Sequence, residues 1–277
     1  MQVDPASPAR APAGARPHVT AAVLAGGVGA RMGGGRPKQL LPLAGRPVLE
    51  HAAAAFCAAP EVDDVIVLMV PEHLAEAEEI AARLDGVSAV LPGGASRTET
   101  SVAALGALEH RGDDDLVLLH DAARPLVTPE VVGACVSALA SAGAVGVAVP
   151  SGDTVVEVSA GTGGAEVLRD VPPRTSLRRM QTPQGFRLGV VRRAYRRALA
   201  DPALVATDDC GVVLRYLPDE EVRIIAGDEA NIKVTNPGDV EIAETLLRLR
   251  GHGPAGGGGT GADAAGGGRG RRQESRR

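Results

Sequence analysis

The sequence predicts a three-layer α/β domain on a mostly parallel sheet, and two features of the chain carry that prediction. Apolar runs of strand length alternate with helix-period segments between about residues 19 and 250, and the runs are nearly continuous, as strands covered on both faces require. The connections are short, which implies right-handed crossovers between parallel strands. A chain of 277 residues with 44% apolar content can bury such a core. Aromatics are confined to Phe56, Phe186, Tyr195 and Tyr216, so the core must be built from Val, Leu, Ile and Ala.

In chain order, VTAAVLA (19–25) reads as the first strand, with DVIVLMV (64–70), DLVLLH (115–120) and AVGVAVP (144–150) as its neighbours. Between them lie the helical segments PVLEHAAAAFCAA, PEHLAEAEEIAARL, RTETSVAALGALEH and TPEVVGACVSALASAG. Ser96 or Thr98 caps the third and Thr128 the fourth, where a hydroxyl accepts the free amide hydrogens of the first turn. After Pro150 the rhythm changes. DTVVEVSAGTGGAEVLRDVPPR reads as two short strands around a Gly-rich turn, a β-arm over about residues 151–174. A two-stranded arm is marginal alone and gains stability against a partner subunit, so a homodimer is expected. RLGVVRRAYRRALA and TDDCGVVLRYL then read as helices, EVRIIAG as a strand and PGDVEIAETLLRLR as a closing helix. The whole is Rossmann-like with a protruding arm for dimerisation, and ligands in such sheets sit outside the carboxyl ends of the strands.

The domain proper is expected over 19–250. Residues 1–18, rich in Pro and Ala, and 251–277, rich in Gly and Arg, are expected to be disordered. The net charge is −5, and the basic ends leave about −9 on the body. An acidic body with few aromatic platforms does not suit nucleic acid; the basic tail could touch it, although a solvated end is the plainer reading. Cys57, Cys135 and Cys210 match neither a zinc spacing nor a disulfide framework. They read as small buried hydrophobes in a reducing compartment. No leader-like or membrane-length apolar segment is present, so no membrane association and a cytoplasmic location are expected.

The stretch LAGGVGARMGGGRPKQ (24–39) leaves the first strand as a glycine-rich loop whose amides can approach anionic oxygens. A dinucleotide turn needs GxGxxG running into a helix. Gly27, Gly29 and Met32 break that spacing, Pro37 stops the helix, and no GK[ST] of a Walker A loop follows. What remains is Arg31 and Lys38, spaced to put two cations around a polyphosphate; the bland alternative is a solvated loop.

The loop resembles the LAxGxGxRMxxxxPKQ motif of sugar-type nucleotidyltransferases. GGASRTETSVAAL, LLHDAARPLV, PSGDTVVEV, RTSLRRMQTPQGF, ATDDCG and ANIKVTNPGDVEIAE follow in order. Over about residues 20–247 the chain thereby resembles the 2-C-methyl-D-erythritol 4-phosphate cytidylyltransferase family. The resemblance implies transfer of a cytidylyl group from CTP to methylerythritol 4-phosphate, with magnesium bridging the triphosphate oxygens and no confident metal ligand among the side chains. It implies that Arg31 and Lys38 stabilise the pentacoordinate transition state, with Lys233 as a third catalytic cation beside the acceptor phosphate. CTP contacts fall to Ala25, Gly26, Gly27 and Gly29, to the backbone near Gly94 and Ala95, and to a hydroxyl of Thr100 or Ser101. Asp121, Arg124 and the Ala122 backbone fall in the polyol phosphate site. Thr182, Thr207 and Arg174 surround its phosphate, with Thr154 and Arg174 reaching over on the arm from a neighbouring subunit.

Several residues keep two readings. Asp121 could orient substrate hydroxyls or meet a metal, and Arg124 could form a structural ion pair. Asp208 and Asp209 could fix a loop, bind the polyol or cap the next helix, while His120 reads as a packing residue. The family often has Ala where Gly26 stands, which adds backbone freedom. A ribitol 5-phosphate cytidylyltransferase is the nearest rival, and a non-catalytic or NAD(P)-binding domain the rival of another class. Some relatives carry a second enzyme domain; the short tail here implies a single activity.

Overall fold

A computed structural model describes residues 16–27 and 36–251. Arg31 and Gly29, and most of both termini for which disorder is expected, lie outside the described residues. The elements run β1 (Val19–Ala25), β2 (Pro42–Leu43), β3 (Arg46–Pro47), α1 (Val48–Cys57), β4 (Asp64–Met69), α2 (Leu74–Ala81), β5 (Val87–Pro92), α3 (Arg97–Ala107), β6 (Leu116–Asp121), α4 (Pro129–Ala138), β7 (Ala144–Pro150), β8 (Glu157–Ala160), β9 (Glu166–Asp170), β10 (Arg178–Arg187), α5 (Leu188–Leu199), α6 (Asp209–Tyr216), β11 (Val222–Ala226) and α7 (Gly238–Gly251). Seven strands form one sheet in the order β11-β7-β10-β6-β1-β4-β5. All neighbours are parallel except β10, which runs antiparallel to both β6 and β7.

Strand periodicity divides the core in two. Ala21, Val23, Val65, Val67 and Leu118 face α1, α2 and α4, while Ala22, Leu24, Ile66, Leu68 and Leu119 face α3, α5 and α6. That is the three-layer arrangement expected from continuous apolar runs, and every residue of β1 is buried. A third, smaller cluster of Leu43, Val48, Leu126, Val234 and Ala243 seats α7. Ser96 rather than Thr98 caps α3, accepting the Glu99 amide at 3.1 Å, and Thr128 caps α4. Among the described residues no helix is long and apolar enough to cross a membrane.

Two sheet strands escape the apolar-run reading. β5 is a partly exposed edge, and β10 carries Gln181, Thr182 and Gln184 where an apolar run would be sought. All three are buried and satisfied: Gln184 Oε1 accepts the Asp209 and Cys210 amides at 2.9 and 3.0 Å, and its Nε2 donates to Asp208 at 2.7 Å. A buried polar strand is thereby bonded as fully as an apolar one is packed. β8 and β9 form a separate antiparallel pair whose residues are all exposed, the arm expected from the Gly-rich turn. Of residues 1–18, Arg16 pairs with Asp63 and the His18 amide donates to Asp115.

Candidate active site

The site gathers at the carboxyl ends of β1, β5 and β6. β1 ends at Ala25 and the chain turns at Gly26 and Gly27. Gln39, buried in the short turn after Pro37, donates to the carbonyls of Ala25 and Gly27 and fastens the mouth of the glycine loop. A Cβ at Gly26 would stand 2.2 Å from Thr100 Oγ1 and 3.1 Å from the Gly94 carbonyl. Glycine here serves close packing of two loops, a tighter reason than the backbone freedom expected from the sequence. The Gly94 amide donates to Thr100 Oγ1 at 3.1 Å, and the Ala95 amide to the Glu99 carboxylate at 2.7 Å. With those amides engaged, the loop faces a ligand with carbonyls rather than amides. Thr100 lines the cavity beneath, whereas Ser101 is fully buried against Tyr195.

At the end of β6, Asp121 lies between two cations. Arg97 Nε reaches its Oδ1 at 2.9 Å and Lys233 Nζ its Oδ2 at 2.6 Å. Burial works against the ionised carboxyl, but Arg97 and Lys233 outweigh it and hold Asp121 well below the usual carboxylate range. The other side of Arg97 faces Asp209, Nη1 to Oδ2 at 2.8 Å; Asp209 is fully buried and accepts the Tyr195 hydroxyl at 2.5 Å. Burial disfavours the Arg97 cation, and the two carboxylates more than offset it, raising its affinity for the proton. Asp208 instead caps α6, accepting the Gly211 amide at 2.8 Å. The acidic pair thus divides between helix cap and buried ion pair.

His120 braces Asp121 from below. Its Nε2 lies 3.1 Å from the Arg124 carbonyl, which can only accept, so Nε2 carries the proton. Nδ1 then accepts from Thr182 Oγ1 at 3.0 Å, and the same oxygen accepts the Asp121 amide at 3.1 Å. Full burial pushes His120 down to about 4, keeping it neutral. The ring also meets Phe56 edge to face, centroids 4.9 Å apart. Its role is packing and hydrogen bonding, as read from the sequence.

Two adjoining cavities result. One is lined by Gly26, Gly27, Lys38, Gln39, Thr100 and Ala123; the other by Arg124, Met180, Thr182, Gln184, Thr207 and Asp208. Arg97, Asp121 and Lys233 line both and form the wall between them. Lys38, Lys233, Gly26, Gly27, Thr100, Asp121, Arg124, Thr182 and Thr207 are thus brought together around these two cavities. Arg124 spends Nη1 and Nη2 on the carbonyls of Asn231, at 2.8 Å, and Met180, at 3.2 Å, clamping the loop that precedes Lys233 to β10. The Ala122 amide donates to Leu24, leaving its carbonyl. Thr154 and Arg174 line neither cavity: both are exposed on the arm, where Arg174 donates to the Gly152 carbonyl. Arg97, Gln39 and Gln184 are site residues that motif reading passed over, although each lies inside a stretch quoted for its resemblance.

Residues 19–249 match the family described as 2-C-methyl-D-erythritol 4-phosphate cytidylyltransferase, IspD. The protein of that name from Thermobifida fusca (strain YX) is 64% identical over 239 residues, covering 86% of this chain and 96% of the relative. A Haemophilus influenzae protein, bifunctional ribulose 5-phosphate reductase/CDP-ribitol pyrophosphorylase Bcs1, is 38% identical over 83% of this chain but only 48% of its own length. Among solved structures, 4-diphosphocytidyl-2C-methyl-D-erythritol synthase from Anaerococcus prevotii DSM 20548 superposes with a TM-score of 0.73 at 27% identity, covering 84% of this chain and 96% of the other. With the motifs in order along one fold and this match over nearly all of it, the chain belongs to the 2-C-methyl-D-erythritol 4-phosphate cytidylyltransferase family.

Proposed function

We propose that the chain transfers the cytidylyl group of CTP to 2-C-methyl-D-erythritol 4-phosphate, giving 4-diphosphocytidyl-2-C-methyl-D-erythritol and pyrophosphate for isoprenoid precursor synthesis. The observation that carries this reading is the pair of adjoining cavities with a shared ionic wall, one under the glycine turn and one under Thr182 and Thr207. Two anions can be held side by side there with Lys233 between them. An oxygen of the acceptor phosphate attacks the α-phosphorus, and the bond from that phosphorus to the bridging oxygen breaks as pyrophosphate leaves. A phosphate monoester is largely dianionic at neutral pH, so the attack needs no general base. The protein's work is alignment and charge stabilisation, which suits Lys38 and Lys233 and, by its place in the loop motif, Arg31.

The CTP side is assigned to the turn 25–27, Gly29, the 94–95 loop and Thr100, whose cavity position favours it over Ser101. Asp121, Arg124, Thr182 and Thr207 frame the acceptor side, Arg124 by holding the backbone around it. Among the described residues no three His, Cys, Asp or Glu side chains cluster around a cation, and both oxygens of Asp121 are engaged. A magnesium ion would be held here mainly by the triphosphate that brings it. When bound it would neutralise charge on the phosphate oxygens.

A homodimer fits the arm, where Val156, Val158, Val167, Leu168 and Val171 are all exposed. Paired against a second copy, the arm would carry Thr154 and Arg174 to that copy's acceptor cavity. Sedimentation at working concentration should show a dimer, and a monomer would count against this assembly. A cytoplasmic setting accords with Cys57, Cys135 and Cys210 all being free thiols.

The reaction is tested by supplying CTP and magnesium with methylerythritol 4-phosphate or ribitol 5-phosphate and measuring pyrophosphate. Release with the first acceptor is expected; release with ribitol 5-phosphate alone would favour the chemistry named for the Haemophilus relative, and release with neither would refute the assignment.

A further inference from the structure

We propose that Arg97 is a positioning residue for the transfer, bracing Asp121 so that Lys233 is held between the two cavities. The inference rests on reading those cavities as the nucleotide and acceptor sides. Arg97 stands at the first turn of α3, and its planar fork reaches two carboxylates from different elements: Nε to Asp121 on β6, Nη1 to Asp209 on α6. Asp209 is itself pinned by the Tyr195 hydroxyl and by the hydrogen bond its backbone amide donates to Gln184 Oε1. The line of force runs from a buried scaffold, Tyr195 and Asp209, through Arg97 to Asp121 and then to Lys233.

Charge balance explains why the brace matters. Asp121 divides its two oxygens between Arg97 and Lys233. Without Arg97 the carboxylate keeps one cationic partner, swings toward it and draws the ammonium away from an incoming phosphate. Asp209, fully buried, is left without its only cationic partner among the described ion pairs. A lysine at the position could not substitute, since one ammonium on a flexible stem lacks the two-pronged fork.

The test is a double-mutant cycle on pyrophosphate release, with melting curves on every variant. Arg97→Met should lower kcat about a hundredfold, the scale of a misplaced catalytic group, while changing the CTP KM less than about threefold. Arg97→Lys should fail to restore turnover. In a Lys233→Ala background the same Arg97→Met change should cost less than about threefold, because the residue it positions is gone. If Arg97→Met melts below the assay temperature, Asp209→Asn added to every member of the cycle removes the uncompensated carboxylate. Equal losses in both backgrounds, or near-normal kcat in Arg97→Met, would overturn the inference and leave the reaction standing. A wild-type protein that releases no pyrophosphate would overturn the reaction, and the inference with it.

Discussion

Around Asp121 the chain buries charge, while along the β8–β9 arm it exposes apolar side chains. Asp121 is 8% exposed and Asp209 0%, yet each meets a guanidinium within 2.9 Å. Leu168 is 61% exposed and Val158 49%, on two strands that touch no third. Both arrangements are costly in isolation: buried ions need partners, and exposed apolar surface needs cover. The first cost is met within one chain. The second is left open within the described residues, so the ionic wall is complete in a single copy, while the arm is where the proposed partner would add cover.

That contrast can be broken or sharpened by experiment. The largest effect is expected at the catalytic cations assigned to the nucleotide side. Lys38→Ala and Arg31→Ala should each lower kcat a hundredfold or more, roughly 3 kcal/mol of lost charge stabilisation, with little change in CTP KM. A loss confined to KM would mean that these cations bind the ground state and no more.

The next effect is on stability and belongs to the buried region around Asp121. His120 titrates at about 4 in the folded chain against roughly 6.5 unfolded. The unfolded state therefore takes up the proton first: stability is full above about pH 6.5, falls as pH drops, and levels near 4, a total of about 3 kcal/mol. Denaturant unfolding at pH 7.5 and 5 should show the fall, and His120→Gln should flatten it. Asp121 has its pKa lowered instead, so its contribution is lost only at still lower pH.

On the arm, Leu168→Asp should leave the melting of the body within about 0.5 kcal/mol, as an exposed substitution does, while dissociating the proposed dimer and lowering turnover about tenfold. An unchanged sedimentation profile would place the partner surface elsewhere. The smallest effect concerns loop packing. Gly26→Ala should raise the CTP KM a few-fold, roughly 1 kcal/mol of overpacking against Thr100, whose Oγ1 stands 2.2 Å from the new Cβ; an unchanged KM would mean that the two segments part to make room.

The two regions also differ in how far they could be read from sequence. β1, β4, β6 and β7 announce themselves because strands buried on both faces must be apolar throughout. The arm shows through its Gly-rich turn. β10 does not, because Gln181, Thr182 and Gln184 are buried by virtue of partners far along the chain: Gln184 Oε1 is met by amides 25 and 26 residues away. The ionic wall is equally nonlocal. Arg97 lies 24 residues from Asp121, and Lys233 lies 112 from it. Motif resemblance supplied Asp121 and Lys233 one at a time. Their pairing, and Arg97 as the brace between Asp121 and Asp209, emerged only once β1, β5 and β6 were set side by side. Gly26 shows the same limit, since its need for a missing side chain is set by Thr100 across the loop.

The most direct test of a site that pairs a self-sufficient wall with a partner's arm is to mix two inactive variants. Lys38→Ala lacks a cation of the nucleotide side and Arg174→Ala lacks the arm's arginine. Co-refolded in equal amounts with CTP, magnesium and methylerythritol 4-phosphate, they should regain pyrophosphate release, because each mixed dimer holds one site with Lys38 in its body and an intact arm. No return of activity in a mixture shown by sedimentation to contain mixed dimers would contradict the account.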